Sequence, residues 1–175
     1  MNGEGMGGEG IIPSNLADPK DKLVLIIDDD ESILDLLDHV VKREGFRVEK
    51  AADGEEGLRK IHELKPDIIV LDFMLPGMGG FEVLKELQMS DAKQIPVLVI
   101  TGRRIDPQTA DMIRHESNVK DYVEKPIKPA VLMALLHRVL QTRPPEVKSD
   151  AGGGFGQQPG GFGQPRGGFG KRGSW

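Results

Sequence analysis

LVLIIDDDESILDLL, residues 23–37, sets an unbroken apolar run, Leu23–Ile27, directly against three acidic residues, Asp28, Asp29 and Asp30. A helical stripe follows, with Ile33, Leu34, Leu37, Val40 and Val41 at helix spacing and a stop at Gly45. A short continuous apolar run bounded by turn formers suits a strand covered on both faces, as in a parallel sheet. The same unit recurs along the chain. Ile68–Leu71 and Val97–Ile100 are strong runs, and Arg47–Ala51 and Val119–Val123 are weaker ones. Between them, Asp53 followed by Glu56 reads as a capping box that opens a helix carrying Leu58, Ile61 and Leu64. Phe81, Leu84 and Leu87 form a third stripe, Asp106-Pro107 places an N-cap and an N1 proline ahead of Met112 and Ile113, and Pro129 opens a last helix with Leu132, Leu135, Leu136, Val139 and Leu140. Five strands alternating with five helices predict βαβ units, hence a parallel α/β sheet with helices on both faces. In such sheets ligands bind beyond the carboxyl ends of the strands, at the switch point in strand order.

Composition narrows the class. The chain has 175 residues with 38% apolar and 29% charged side chains, enough for one ordinary domain plus extensions. Its 23 glycines crowd the two ends, so 1–20 reads as a disordered Gly-rich leader, 21–143 as the folded body and 144–175 as a disordered tail. The tail repeats GGFG with a period of seven, which sets Phe155, Phe162 and Phe169 in register before Trp175. Zero cysteines exclude a disulfide scaffold and any Cys-ligated metal site. A net charge of −5 argues against non-specific nucleic-acid binding by the whole chain. Neither a membrane span nor a signal peptide is visible, so the expected location is cytoplasmic.

The strand ends carry the chemistry. Strand one ends in Asp28, Asp29 and Asp30, strand three in Asp72, strand four in Thr101 and strand five in Lys125-Pro126. Any one of them has a bland reading as a turn former, and Asp30 reads as a helix cap. Together they converge a carboxylate cluster, a hydroxyl and an ammonium on one crevice. Carboxylates crowded in one pocket call for a cation, and oxygen-only ligation suits a hard ion, Mg²⁺. Such a site fits phosphoryl transfer, with an aspartate as nucleophile.

LVLIIDDDESILDLL, PDIIVLDFMLPGMGGFEVL, PVLVITG and DYVEKPI resemble, in order and spacing, the receiver domain of two-component response regulators. The resemblance covers about 23–141. It implies a flavodoxin-like (βα)5 doubly wound sheet with strand order 2-1-3-4-5. It implies further that Asp28 and Asp29 hold Mg²⁺, that Asp72 is the phosphoacceptor, and that Met74 offers its backbone carbonyl to the metal. Thr101 would bind a phosphoryl oxygen, Lys125 would pair with another, and Tyr122 is the aromatic that follows Thr101 in the switch. The implied partners are a histidine kinase as phosphodonor and an unidentified output protein, with dimerisation on phosphorylation left open. No turnover beyond Mg²⁺-dependent autophosphorylation and autodephosphorylation is expected. The short tail leaves no room for a DNA-binding domain, so the output is expected to be a changed protein-binding face.

Two features depart from the family pattern: Gly79 stands where an aspartate usually caps the next helix, and Met112–Asp121 lacks the usual small-residue turn, whereas Gly102 fits the pattern by leaving space beside Thr101. Among competing readings, a phosphatase of the haloacid-dehalogenase type requires a second carboxylate two residues after its nucleophile, and position 74 is Met. A degenerate receiver would act as a phosphorylation-independent interaction module, with a tail that self-associates or contacts nucleic acid. His39, His62, His115 and His137 fall on separate helices at no ligand spacing and are expected at the surface, while Met112 and Met133 are expected in the core.

Overall fold

A computed structural model describes residues 15–102 and 106–144. The elements alternate as the sequence predicts: β1 (Leu23–Ile27), α1 (Glu31–Arg43), β2 (Arg47–Ala51), α2 (Gly54–Leu64), β3 (Ile68–Asp72), α3 (Gly80–Gln88), β4 (Val97–Thr101), α4 (Pro107–His115), β5 (Val119–Glu124) and α5 (Pro129–Leu140). All four strand pairings are parallel and the order is β2-β1-β3-β4-β5. The sheet is therefore doubly wound, with the switch in strand order at β1 and β3.

Alternation along the central strands builds two cores. Val24, Ile26, Val70, Leu98 and Ile100 face α1 and α5, where Leu37, Val41, Leu132 and Leu136 complete one layer. Leu25, Ile27, Ile69, Leu71, Val97 and Val99 face the other way, onto Ile61 of α2, Val83, Leu84 and Leu87 of α3, and Ile113 of α4. Every residue of β1, β3 and β4 is buried, which explains why these three strands read as unbroken apolar runs. β2 and β5 lie at the edges and are largely solvated, which is why their runs are weak.

Helix starts follow local chemistry. The Asp30 carboxylate accepts from the Ser32 and Ile33 N–H groups, Asp53 accepts from Glu56, and Asp106 accepts from Thr109. Glu56 Oε2 reaches back to the Ala52 N–H at 2.9 Å and closes the box. Gly45, at φ +94°, takes the left-handed position after α1.

Three expectations about placement change. Met112 is 46% exposed, because α4 buries only Ala110 and Ile113, whereas Met133 is in the core. His137 is not a surface residue: its ring packs 5.0 Å from that of Phe46, and its Nδ1 lies 2.7 Å from the hydroxyl of buried Thr142. His39, His62 and His115 are exposed. Part of the leader is also ordered. Ala17 bridges Thr142, and the turn Pro19–Asp21 leads into β1. Residues 1–14 and the GGFG repeats lie outside the described residues. Among the described residues no helix is long and apolar enough to cross a membrane.

Candidate functional site

Parallel strands deliver their carboxyl ends to one edge of the sheet, and the polar residues that follow the apolar runs meet there. Asp28 follows β1, Asp72 and Thr101 end β3 and β4, and Lys125 follows β5. Asp28, Asp72 and Thr101 are buried, at 1%, 4% and 0% exposure, while Asp29 is open to solvent. Asp28, Asp29 and Asp72 each bring a carboxylate oxygen within 4.8 Å of the others. The Lys125 ammonium donates to Asp28 Oδ2 and Asp72 Oδ2, both at 2.7 Å. The remaining oxygens are oriented from the backbone: the Asp30 N–H donates to Asp28 Oδ1 and the Met74 N–H to Asp72 Oδ1, each at 2.9 Å.

Burial pushes the Asp28 carboxyl above its usual range, and the neighbouring charge of Asp72 adds to this, while Lys125 and the Asp30 amide oppose it. For Lys125, burial works against the charged form, but the bonds to Asp28 and Asp72 outweigh it and raise its pKa. Three carboxylates against one ammonium leave two negative charges uncompensated in a largely buried pocket. An all-oxygen donor set with that deficit fits a hard divalent cation.

Close backbone approach holds the acceptor loop. A Cβ on Gly80 would stand 2.7 Å from Phe73 Cα and 2.8 Å from the Asp72 carbonyl, so only glycine lets α3 begin this near to Asp72. Gly79 gives α3 no side-chain cap, as its sequence suggests. A Cβ there would meet Glu82 Oε2, an exposed and movable group, so the fold tolerates this glycine rather than requiring it. Beside Thr101, a Cβ on Gly102 would meet only Lys125 Cδ at 3.7 Å, which is ordinary contact. The unusual 112–121 stretch is anchored by buried Asn118, whose Oδ1 accepts from Gln88 Nε2 at 2.6 Å and whose Nδ2 is left without a partner. The Lys125–Pro126 bond is cis.

The structure thus brings Asp28, Asp72 and Lys125 into contact, with an Asp29 carboxylate oxygen within 4.8 Å of those of the two other aspartates and Thr101 at the adjacent strand end. Met74 contributes its N–H to Asp72, and its side chain is 48% exposed. Tyr122 sits one strand over, partly buried, with its hydroxyl bonded to Arg114 at 2.9 Å. No sequence signal links Arg114 to Tyr122, because the two meet only when α4 packs beside β5.

A doubly wound parallel sheet with an acidic pocket, a lysine and a threonine at its switch-point edge defines a class of phosphoryl-handling α/β domains. The comparisons make this specific. Residues 24–137 match the response regulator receiver domain, so the chain belongs to that family, whose members act in phosphorelay signal transduction. It is 42% identical over 118 residues to the transcriptional regulatory protein AfsQ1 of Streptomyces coelicolor, covering 67% of this chain and 51% of AfsQ1. It is 38% identical over 112 residues to the DNA-binding response regulator MtrA of Mycolicibacterium smegmatis, covering 63% of this chain and 47% of MtrA. The chemotaxis protein CheY4 of Vibrio cholerae superposes with a TM-score of 0.63 at 34% identity, covering 68% of this chain and 98% of that one.

These relatives correct one expectation, that of a partner set without a DNA-binding domain. One is named a transcriptional regulator and another a DNA-binding response regulator, and this chain spans about half the length of each. About half of each relative lies outside the match. Nothing in the receiver's own residues reports on that segment, so a short tail was no ground for excluding it.

Proposed function

We propose that Asp72 is the phosphoryl acceptor of this receiver and that the pocket around it is built to make and hold an aspartyl-phosphate. The observation that carries this reading is the double engagement of Lys125, at 2.7 Å from both Asp28 and Asp72, inside a pocket that still holds two excess negative charges. A carboxylate oxygen of Asp72 attacks the phosphorus of a kinase phosphohistidine. The P–N bond breaks, its electron pair returns to the imidazole, which takes up a proton, and an acyl phosphate remains on Asp72. The Met74 amide, already bonded to Asp72 Oδ1, fixes the carboxylate for attack. Lys125 lies where an oxygen of the transferred group would need a cation, and Thr101, at the end of the neighbouring strand, offers its hydroxyl to another.

Asp28, Asp29 and Asp72 would hold Mg²⁺, with the Met74 carbonyl as a further ligand. When bound, the ion supplies charge neutralisation for the crowded phosphoryl and carboxylate oxygens. The same pocket would carry Mg²⁺-dependent autodephosphorylation, with no separate turnover expected. The unit that does this is the receiver domain over 21–143, which acts in the cytoplasm and passes its state to an output, which by analogy with AfsQ1 and MtrA is transcriptional control at DNA.

Amide NMR of the full chain, titrated with Mg²⁺ and then with beryllium fluoride as a phosphoryl mimic, tests the assignment. Shifts centred on residues 28–30, 72–74, 101–102 and 125 are expected. Shifts that leave these residues unmoved, or none at all, would reject it.

A further inference from the structure

Tyr122 is the only tyrosine in the chain. It pairs with Val99 across β4 and β5, and Thr101 lies two residues beyond Val99. Because side chains alternate along a strand, Tyr122 and Thr101 project from the same face of the sheet. The Tyr122 ring packs against the core layer of that face. Its hydroxyl is taken up by Arg114, in the last turn of α4, at 2.9 Å. The Arg114 guanidinium also lies over the ring, 4.9 Å from its centroid. Two acidic residues frame the pair: Asp111 stands 3.8 Å from Arg114 Nη1, and Asp121 Oδ1 accepts the Tyr122 N–H at 2.9 Å. Tyr122 is therefore fixed at ring, hydroxyl and backbone, and two of the three restraints come from Arg114.

We propose that Arg114 is a latch that holds Tyr122 against α4 and so sets how readily the phosphoryl site switches state. The proposal rests on the reading of Asp72 as phosphoacceptor and adds a regulatory contact to it. When Thr101 moves toward a phosphoryl group on Asp72, it vacates space on the face it shares with Tyr122. The ring can follow only if it gives up both contacts with Arg114. The latch thus favours the resting arrangement, and any ligand or partner that draws Arg114 away would favour the switched one. Arg114 acts through Tyr122 and touches no reacting atom, so it is a positioning residue. Its side chain is 55% exposed, and its removal leaves both cores intact.

The single tyrosine gives a direct readout. The full chain labelled with 3-fluorotyrosine shows one ¹⁹F resonance, recorded at rest and with Mg²⁺ and beryllium fluoride. In Arg114→Ala the resting resonance is expected to move toward the activated wild-type position. Phosphorylation by acetyl phosphate is expected to quicken about fivefold, the scale of one exposed cation–π contact and its hydrogen bond. Arg114→Lys, which keeps the charge but loses the planar fork, is expected to fall between. A wild type that is phosphorylated normally, with an unchanged resonance and rate in Arg114→Ala, overturns the latch alone. A wild type that cannot be phosphorylated by any donor overturns the Asp72 reading and the latch with it.

Discussion

Replacing Lys125 with methionine keeps most of the aliphatic stem and removes the charge that bonds Asp28 and Asp72. Without metal, this leaves Asp28 and Asp72 facing each other almost fully buried, with Asp29 close by. Removing one partner of a buried pair costs about 3–5 kcal/mol, and because Lys125 is 21% exposed the lower end, about 3 kcal/mol, applies here. Metal binding should respond in the opposite direction. The ammonium uses the carboxylate oxygens a divalent ion would use, and it repels that ion. A unit charge about 5 Å from a divalent one costs about 1.7 kcal/mol even at the dielectric of water, somewhat more than a factor of ten in affinity. Lys125→Met is therefore expected to melt earlier than the wild type in EDTA, to bind Mg²⁺ about tenfold more tightly in a calorimetric titration, and to recover much of its lost stability at saturating Mg²⁺. A variant that is as stable as the wild type without metal, or that binds Mg²⁺ more weakly, would refute the charge argument.

Two further perturbations probe the scaffold. Gly80→Ala forces a methyl group against the backbone of Asp72 and Phe73; a loss of about 1–3 kcal/mol in urea denaturation and a slower phosphorylation of Asp72 are expected, and a neutral result would contradict the close packing. Glu56 has its pKa lowered, chiefly by the Ala52 N–H and then by Lys60, so its contribution is present above the usual glutamate range and fades as pH falls through the depressed value. Glu56→Gln keeps an amide oxygen for the Ala52 N–H and loses only the negative charge at the start of α2, so it should cost about 0.5 kcal/mol at pH 7, and the difference should close in melts taken at progressively lower pH.

The fold was legible because the three central strands are buried on both faces and so carry uninterrupted apolar runs, while Asp30, Asp53 and Asp106 cap the following helices through contacts only two or three residues long. The acidic pocket was legible for a topological reason: parallel strands send every carboxyl end to one edge, so residues far apart in sequence meet without any pairwise signal. What escaped the sequence depends on contacts between elements. His137 is half-buried because Phe46 and Glu44, just beyond the end of α1, close over it. Met112 is exposed because α4 offers the core only two side chains. The ordered start at Ala17 depends on the residues that follow α5, through Ala17 N–H to Gln141 O and Arg143 N–H to Ala17 O. The DNA-binding output of the relatives has no counterpart within the receiver's own residues.

The central claim is that Asp72 accepts a phosphoryl group in a cation-dependent pocket. Intact mass spectrometry after incubation with Mg²⁺ and acetyl phosphate tests it most directly, on the wild type and on Asp72→Asn. One phosphoryl adduct on the wild type, absent from Asp72→Asn and abolished by EDTA, is the predicted result. An adduct that survives in Asp72→Asn or in EDTA, or none even with a phosphorylated kinase as donor, would contradict the account.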